Sequence, residues 1–197
     1  QVCKDKKGTH TIQKMVELVN LVEEEEFFKG ALIGHVDYLA IDQQGTHIIQ
    51  KIINCFSESN RQFVFDEIKD SFLKISKTSH GLCVIKKLVA NTKNAENRVS
   101  LVYYISENAI ELAQDPYGNY AIQEIMDRWS EQDYSLLYDR VMSRVAQLSI
   151  QKFSSNVVEK CLQSSNEEQR KKIIISISKI DKLANVMKNS FGNYVVQ

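Results

Sequence analysis

A short segment recurs six times along the chain at an almost constant interval, and this recurrence limits the fold more than any other feature. The copies read G-T-H-T-I-Q-K at 8–14, G-T-H-I-I-Q-K at 45–51 and G-L-C-V-I-K-K at 81–87. They continue with G-N-Y-A-I-Q-E at 118–124, S-S-N-V-V-E-K at 154–160 and G-N-Y-V-V-Q at 192–197. Counted from Gly8, Gly45, Gly81, Gly118, Ser154 and Gly192, the steps are 37, 36, 37, 36 and 38 residues. A period this regular makes the chain an array of stacked repeats rather than one large or two ordinary domains.

Each interval carries helical periodicity. Between 62 and 93, Phe63, Phe65, Ile68, Phe72 and Ile75 form one apolar stripe, and Leu82, Val84, Ile85, Leu88 and Val89 form another. Leu101, Val102, Ile105, Ile110 and Leu112 repeat the first stripe, as do Leu136, Leu137, Val141, Val145 and Leu148. No stretch alternates as a strand or carries a hairpin turn signal. The expectation is an all-α solenoid with two helices per repeat. The aligned glycine removes a Cβ clash where one helix hands over to the next, and Ser154, read as an N-cap, fills the same place. Pro116 stands just before a motif helix, where a missing amide donor costs little.

A lone helix pair of this size cannot bury its stripe, so neighbouring pairs must stack and leave their second helices side by side along one long, concave surface. Expected boundaries within a single array over 1–197 are a partial repeat at 1–22, full repeats at 23–59, 60–94, 95–129 and 130–165, and a partial one at 166–197. The chain opens on Gln1 with neither Met nor an apolar leader and ends at Gln197 inside a helical pattern, so both ends read as cuts through a longer protein.

The 25 basic and 25 acidic residues cancel, so no global field gathers nucleic acid or anionic membrane, and such binding must come from a local arrangement of side chains. Cys3, Cys55, Cys83 and Cys161 lie far apart without a C-x-x-C pair, which fits neither a zinc site nor a disulfide scaffold and suggests a reducing compartment. No metal and no cofactor are expected. The densest apolar run, Ile173 to Ile180, falls well short of the ~20 residues that span a bilayer, so no membrane association is expected.

Counting from the residue after each aligned Gly or Ser, the first, second and fifth positions fall within an arc of roughly 100° on a helix. They share one face, whereas the fourth is always Ile or Val (Ile12, Ile49, Ile85, Ile122, Val158, Val196) and should point to the core. The trios are Thr9/His10/Gln13, Thr46/His47/Gln50, Leu82/Cys83/Lys86, Asn119/Tyr120/Gln123, Ser155/Asn156/Glu159 and Asn193/Tyr194/Gln197. A polar pair beside a flat ring suits an unpaired base whose edge is hydrogen-bonded while its face is stacked. The first and fifth residues would read the edge, and the second (His10, His47, Cys83, Tyr120, Asn156, Tyr194) would meet the face. Gln both donates and accepts, matching uracil's N3–H and adjacent carbonyl, whereas ionised Glu159 only accepts and suits guanine's N1–H and N2 amino group.

These segments resemble the Pumilio-homology, or PUF, RNA-binding repeats. N-Y-x-x-Q at 119–123 and 193–197 is similar to that family's uracil-reading signature, S-N-x-x-E at 155–159 to its guanine-reading one, and G-H-V-D-Y-L-A from Gly34 to its first-helix consensus. The resemblance implies a right-handed crescent of three-helix repeats and RNA running antiparallel to the chain. Asn193 and Gln197 would then take a 5′ U, Ser155 and Glu159 the next G, and Asn119 and Gln123 the following U. Leu82, Cys83 and Lys86 depart from the usual adenine reader, which has a small residue, Arg and Gln, so the fourth base is left unspecified or held through phosphate. The two T-H-x-x-Q sets resemble the uracil pattern with Thr for Asn and His for Tyr, which completes an expected site of 5′-UGUNUU.

The resemblance further implies a cytoplasmic protein on messenger 3′ untranslated regions that lowers message stability or translation, with deadenylase or repressor proteins on the convex face. It implies no small-molecule substrate. Lys14, Lys51, Lys87 and Lys160, which follow the fifth positions, are candidates for phosphate contact, although Glu124 breaks that series. The acidic run Glu23 to Glu26 suits a helix N-terminus. His80 and Cys83 invite a nucleophile–base reading, yet no oxyanion hole or third orienting residue accompanies them, and no enzyme is expected. The competing reading is a HEAT- or armadillo-like scaffold holding an extended peptide on the concave face, which does not account for Glu159 in an otherwise matched trio.

Overall fold

The computed structural model describes residues 1–178 and 180–197, and for 180–182 the backbone alone, so the end of the apolar run at 173–180 lies outside what is described. The described residues are helical, without strands, and no described helix is long and apolar enough to cross a membrane. Two compact units are present, Gln1–Asn97 and Arg98–Gln197.

The first unit opens with a 3-10 turn at Val2–Lys4, followed by α1 (Gly8–Leu18), α2 (Val22–Leu32), α3 (Val36–Ala40) and α4 (Gly45–Cys55). It continues with α5 (Gln62–Asp70), α6 (Phe72–Ser76) and α7 (Ser79–Asn91). α8 (Ala95–Glu107) begins in the first unit and ends in the second, which goes on to hold α9 (Ala109–Gln114), α10 (Gly118–Arg128), α11 (Glu131–Met142), α12 (Val145–Leu148) and α13 (Ser154–Ser164). It closes with α14 (Glu167–Ile177), α15 (Ile180–Lys188) and α16 (Gly192–Val196).

Each full interval therefore holds three helices, which corrects the two expected from periodicity and agrees with the family resemblance. The middle helix is short, 5 residues in α3 and α6 and 4 in α12. Between α5 and α6 only Ser71 leaves helical geometry, at φ −110° and ψ 15°, so the apolar stripe from Phe63 to Ile75 runs through the break unmarked.

In the first unit α1, α4 and α7 lie side by side, and in the second α10, α13 and α16 do the same. Their inner faces form the core: Ile48, Ile49, Ile52 and Ile53 of α4, Ile122 and Ile125 of α10, and Val157, Val158 and Cys161 of α13 are fully buried. Each such aliphatic side chain contributes about 1.5–3 kcal/mol by leaving water, which is what stacks one repeat on the next. Carboxylates add ties at the repeat boundaries. Glu25 accepts from Ser57 N at 2.9 Å, Ser57 Oγ at 2.6 Å and Asn60 Nδ2 at 2.7 Å. Glu67 accepts from Gly34 N at 2.7 Å and Val36 N at 3.0 Å, where Gly34 takes the left-handed φ of +81° that ordinary side chains disfavour.

The aligned residue is not an N-cap, which corrects the reading of Ser154. It is the first helical residue in α4, α10, α13 and α16, and in α4, α10 and α16 the turn is capped from three residues upstream. Asp42 Oδ1 accepts from Gln44 N and Gly45 N at 2.9 and 2.8 Å, Asp115 Oδ1 from Tyr117 N and Gly118 N at 2.9 and 2.8 Å, and Asn189 Oδ1 from Phe191 N and Gly192 N at 2.9 and 3.0 Å. Burial opposes ionisation of Asp42, but the Gly45 and Gln44 amides and the Lys4 ammonium outweigh it and hold the carboxyl below its ordinary value. Glycine itself answers to crowding by the carbonyl six residues earlier. A Cβ on Gly81 would lie 2.1 Å from the Ile75 carbonyl oxygen. Ser154 meets the equivalent carbonyl, that of Leu148, and donates its hydroxyl to it at 2.7 Å.

Candidate nucleic-acid interface

The third helix of each interval carries one trio, and the structure sorts the trio by depth. Second-position side chains are exposed: His10, His47, Cys83, Tyr120, Asn156 and Tyr194 all reach solvent, with Tyr120 at 48% and Tyr194 at 63%. Fifth-position Gln13, Gln50, Gln123 and Glu159 are half-buried, whereas Lys86 and Gln197 are exposed. First-position Thr9, Thr46, Asn119 and Ser155 are buried, while Leu82 and Asn193 are half-buried. The shared face therefore has depth, with its first position innermost and its second outermost. Thr9, Thr46, Asn119 and Ser155 lie beneath the surface because the next third helix packs against that edge, a contact no single-helix projection contains.

Hydrogen bonds join the first and fifth positions. Gln13 Nε2 donates to Thr9 Oγ1 at 3.1 Å, Gln50 Nε2 to Thr46 Oγ1 at 3.1 Å, and Gln123 Nε2 to Asn119 Oδ1 at 2.9 Å. Asn119 in turn donates Nδ2 to the Asp115 carbonyl at 2.7 Å. Ser155 Oγ donates to the Lys152 carbonyl at 3.4 Å. Asn193 Oδ1 is buried without a hydrogen-bond partner. Gln13, Gln50 and Gln123 thus each stand about one helical turn from an exposed ring, with the amide already oriented by the first-position side chain.

Leu82, Cys83 and Lys86 present a different surface, in which the Cys83 thiol donates to the Ser79 carbonyl at 3.4 Å. Fourth-position residues are buried at Ile49, Ile85, Ile122 and Val158, but Ile12 is half-buried and Val196 is 39% exposed, which corrects the core assignment at those two sites. The lysine series is largely paired with the protein's own acids. Lys14 and Lys51 both bridge to Glu17, and Lys160 bridges to Asp127, the acid lying eight residues after the first position in each case. Lys51 first and Lys14 second hold the Glu17 carboxyl below its ordinary value, and Glu17 holds the Lys51 ammonium above its own. Glu124, which interrupts the lysines, is buried and pairs with Arg128. Among the described residues no group of three or more His, Cys, Asp and Glu could hold a metal ion.

The sequence reading missed two elements of this site. The capping Asp42, Asp115 and Asn189 were legible as an Asx residue three before each glycine, and Asp5 repeats the pattern by accepting from Gly8 N at 2.7 Å. The acid-to-lysine pairing had only the weaker signal of Glu17 and Asp127 at matched positions.

Comparison with known proteins accords with this geometry. The family model described as the Pumilio-family RNA binding repeat matches residues 1–26, 35–69, 108–142, 144–178 and 182–197, leaving outside it the stretch 70–107 that holds Leu82, Cys83 and Lys86. A Pumilio domain-containing protein of Schizosaccharomyces pombe is 34% identical over 190 residues, covering 96% of this chain and 28% of that protein. Pumilio homolog 12 of Arabidopsis thaliana is 31% identical over 193 residues, covering 98% of this chain and 32% of its own length. The chain therefore spans about a third of the length of the relatives it matches. Among solved structures, the Puf4 RNA binding domain bound to an HO endonuclease RNA 3′ UTR recognition sequence superposes with a TM-score of 0.90 at 22% identity. That match covers 99% of this chain and 59% of the other, and it bears on fold alone. The RNA-binding domain of yeast Puf5p bound to AAT2 RNA gives 0.88 at 28% identity, covering 100% and 60%. With a family model matched over most of its length and the three-helix repeats that go with it, this chain belongs to the PUF family of Pumilio-type RNA-binding repeat proteins.

Proposed function

We propose that the chain binds single-stranded RNA sequence-specifically, one base per third helix, through a 5′-UGU core of the kind found in messenger 3′ untranslated regions. The second unit's trios take U, G and U in the order Asn193/Gln197, Ser155/Glu159, Asn119/Gln123, and the first unit's take an unspecified base and two further uracils. The carrying observation is the repeated pairing of an exposed Tyr, His or Asn with a half-buried amide or carboxylate at Tyr120/Gln123, Asn156/Glu159, His47/Gln50 and His10/Gln13. Stacking of about 1–3 kcal/mol per base and edge recognition of similar size supply affinity that zero net charge cannot. Acting in the cytoplasm on message stability or translation, with deadenylase or repressor proteins as partners, extends the same reading.

The test is a titration of labelled 5′-UGUAUU RNA against the same RNA with its G replaced by C. The expected penalty is about 1–3 kcal/mol, with Glu159→Gln moving the preference at that base from G towards U. Tyr120→Ala and Tyr194→Ala should each weaken binding by a similar amount without loss of helicity. Equal affinity for the two RNAs would overturn the role given to Glu159.

A further inference from the structure

The two threonine trios bond across to the adjoining interval, whereas Asn119 bonds within its own. Thr46 Oγ1 lies 3.1 Å from the carbonyl of His80, on the neighbouring helix α7, and Gln50 Nε2 lies 3.1 Å from Thr46 Oγ1. Thr9 repeats the arrangement, 3.2 Å from the Gln44 carbonyl in the next interval and 3.1 Å from Gln13 Nε2. A backbone carbonyl only accepts, so each threonine proton is committed to it and the hydroxyl oxygen turns a lone pair towards the glutamine. The glutamine must answer with its NH2. A flipped amide would set its own oxygen against that lone pair, in a buried place where an unmatched polar contact is expensive.

We propose that Thr46 and Thr9 are positioning residues that make Gln50 and Gln13 select uracil over cytosine, and that the adjoining repeat supplies the lock. The inference rests on the RNA reading proposed above. Uracil offers a donor at N3 beside an acceptor at O4, whereas cytosine offers an acceptor at N3 beside a donor at N4. A freely turning amide satisfies either base by flipping, and a locked one satisfies a single order. At Asn119 the lock closes within its own repeat, through the Asp115 carbonyl, and also leaves the Gln123 NH2 inward, so the outward order is the same in both kinds of trio. Glu159 needs no lock because both its oxygens accept.

The experiment compares wild type, Thr46→Val and Thr46→Ser on 5′-UGUAUU and 5′-UGUACU RNA, with the G→C change at the second base as an internal reference. Wild type should prefer U at the fifth base by about tenfold. Thr46→Val, which keeps shape and removes the hydroxyl, should bring that ratio to within about twofold while keeping discrimination at the second base, and Thr46→Ser should restore it. An unchanged U-to-C ratio in Thr46→Val, or no such preference in wild type, overturns the proposal. Should Thr46→Val lose its helicity, Thr9→Val read at the sixth base gives the same decision. Loss of G-to-C discrimination in wild type would instead count against the RNA reading itself.

Discussion

Replacing Gly81 with Ala sets two effects of opposite sign against each other. Gly81 is the third residue of α7, where helix propensity alone favours Ala by about 0.5–1 kcal/mol. The added Cβ, however, would stand 2.1 Å from the Ile75 carbonyl oxygen, 2.8 Å from its carbon and 2.6 Å from Thr78 Oγ1. Relief requires α6 and α7 to separate at their junction, and that junction is held by Thr78 Oγ1, which accepts from Gly81 N at 3.1 Å and donates to the Ile75 carbonyl at 3.0 Å. Loss of the cap costs about 1 kcal/mol, and overpacking against backbone adds about 1–3 kcal/mol. The net expectation is destabilisation of roughly 2 kcal/mol, or about 4–8 °C in Tm for a chain of this size. Gly30 is the control, since it lies in α2 with nothing within 4 Å of its virtual Cβ, and Gly30→Ala should stabilise by about 0.5–1 kcal/mol. Thermal and urea unfolding of the two variants beside wild type decide the matter. If Gly81→Ala melted at or above wild type, the steric account of the recurring glycine would be refuted.

The remaining predictions concern titration and reactivity. Burial pushes the Cys161 thiol up to about 12, so in the folded protein maleimide at neutral pH should label the exposed Cys55 and Cys83 and spare Cys161, which labels only after denaturation. Quantitative mass spectrometry checks it, and rapid labelling of Cys161 in the native state would contradict it. The Glu17–Lys51 pair should contribute stability that is full above the ordinary carboxyl value of 4.5 and lost as pH falls through the lowered value in the fold. At the alkaline end the contribution is full below 10.5 and lost as pH rises through the raised lysine value, so Glu17→Gln should flatten both limbs of a plot of Tm against pH.

The period, the helical class and the second-position face were legible because they depend on local spacing. Tyr120 and Tyr194 point outward where a helical projection puts them. The third helix was not legible from periodicity, since one non-helical residue such as Ser71 turns the chain without interrupting the apolar stripe. Nor was the depth of Thr46 or Asn119, each 1% exposed, because burial at that edge is imposed by a neighbour some 36 residues away rather than by the helix itself. Ser154 was read as a cap from its residue type alone. Its hydroxyl instead answers the Leu148 carbonyl, a partner that exists only once the preceding short helix has folded back.

The lysines that tether one repeat to the acid of the last, Lys51 to Glu17 and Lys160 to Asp127, have their charge already spoken for. Along that edge of the third helices the positive charge is balanced locally, so these two lysines serve the joints between repeats before they serve any passing polyanion. On the RNA reading proposed above, what holds a strand would then be the match of rings and edges rather than bulk charge.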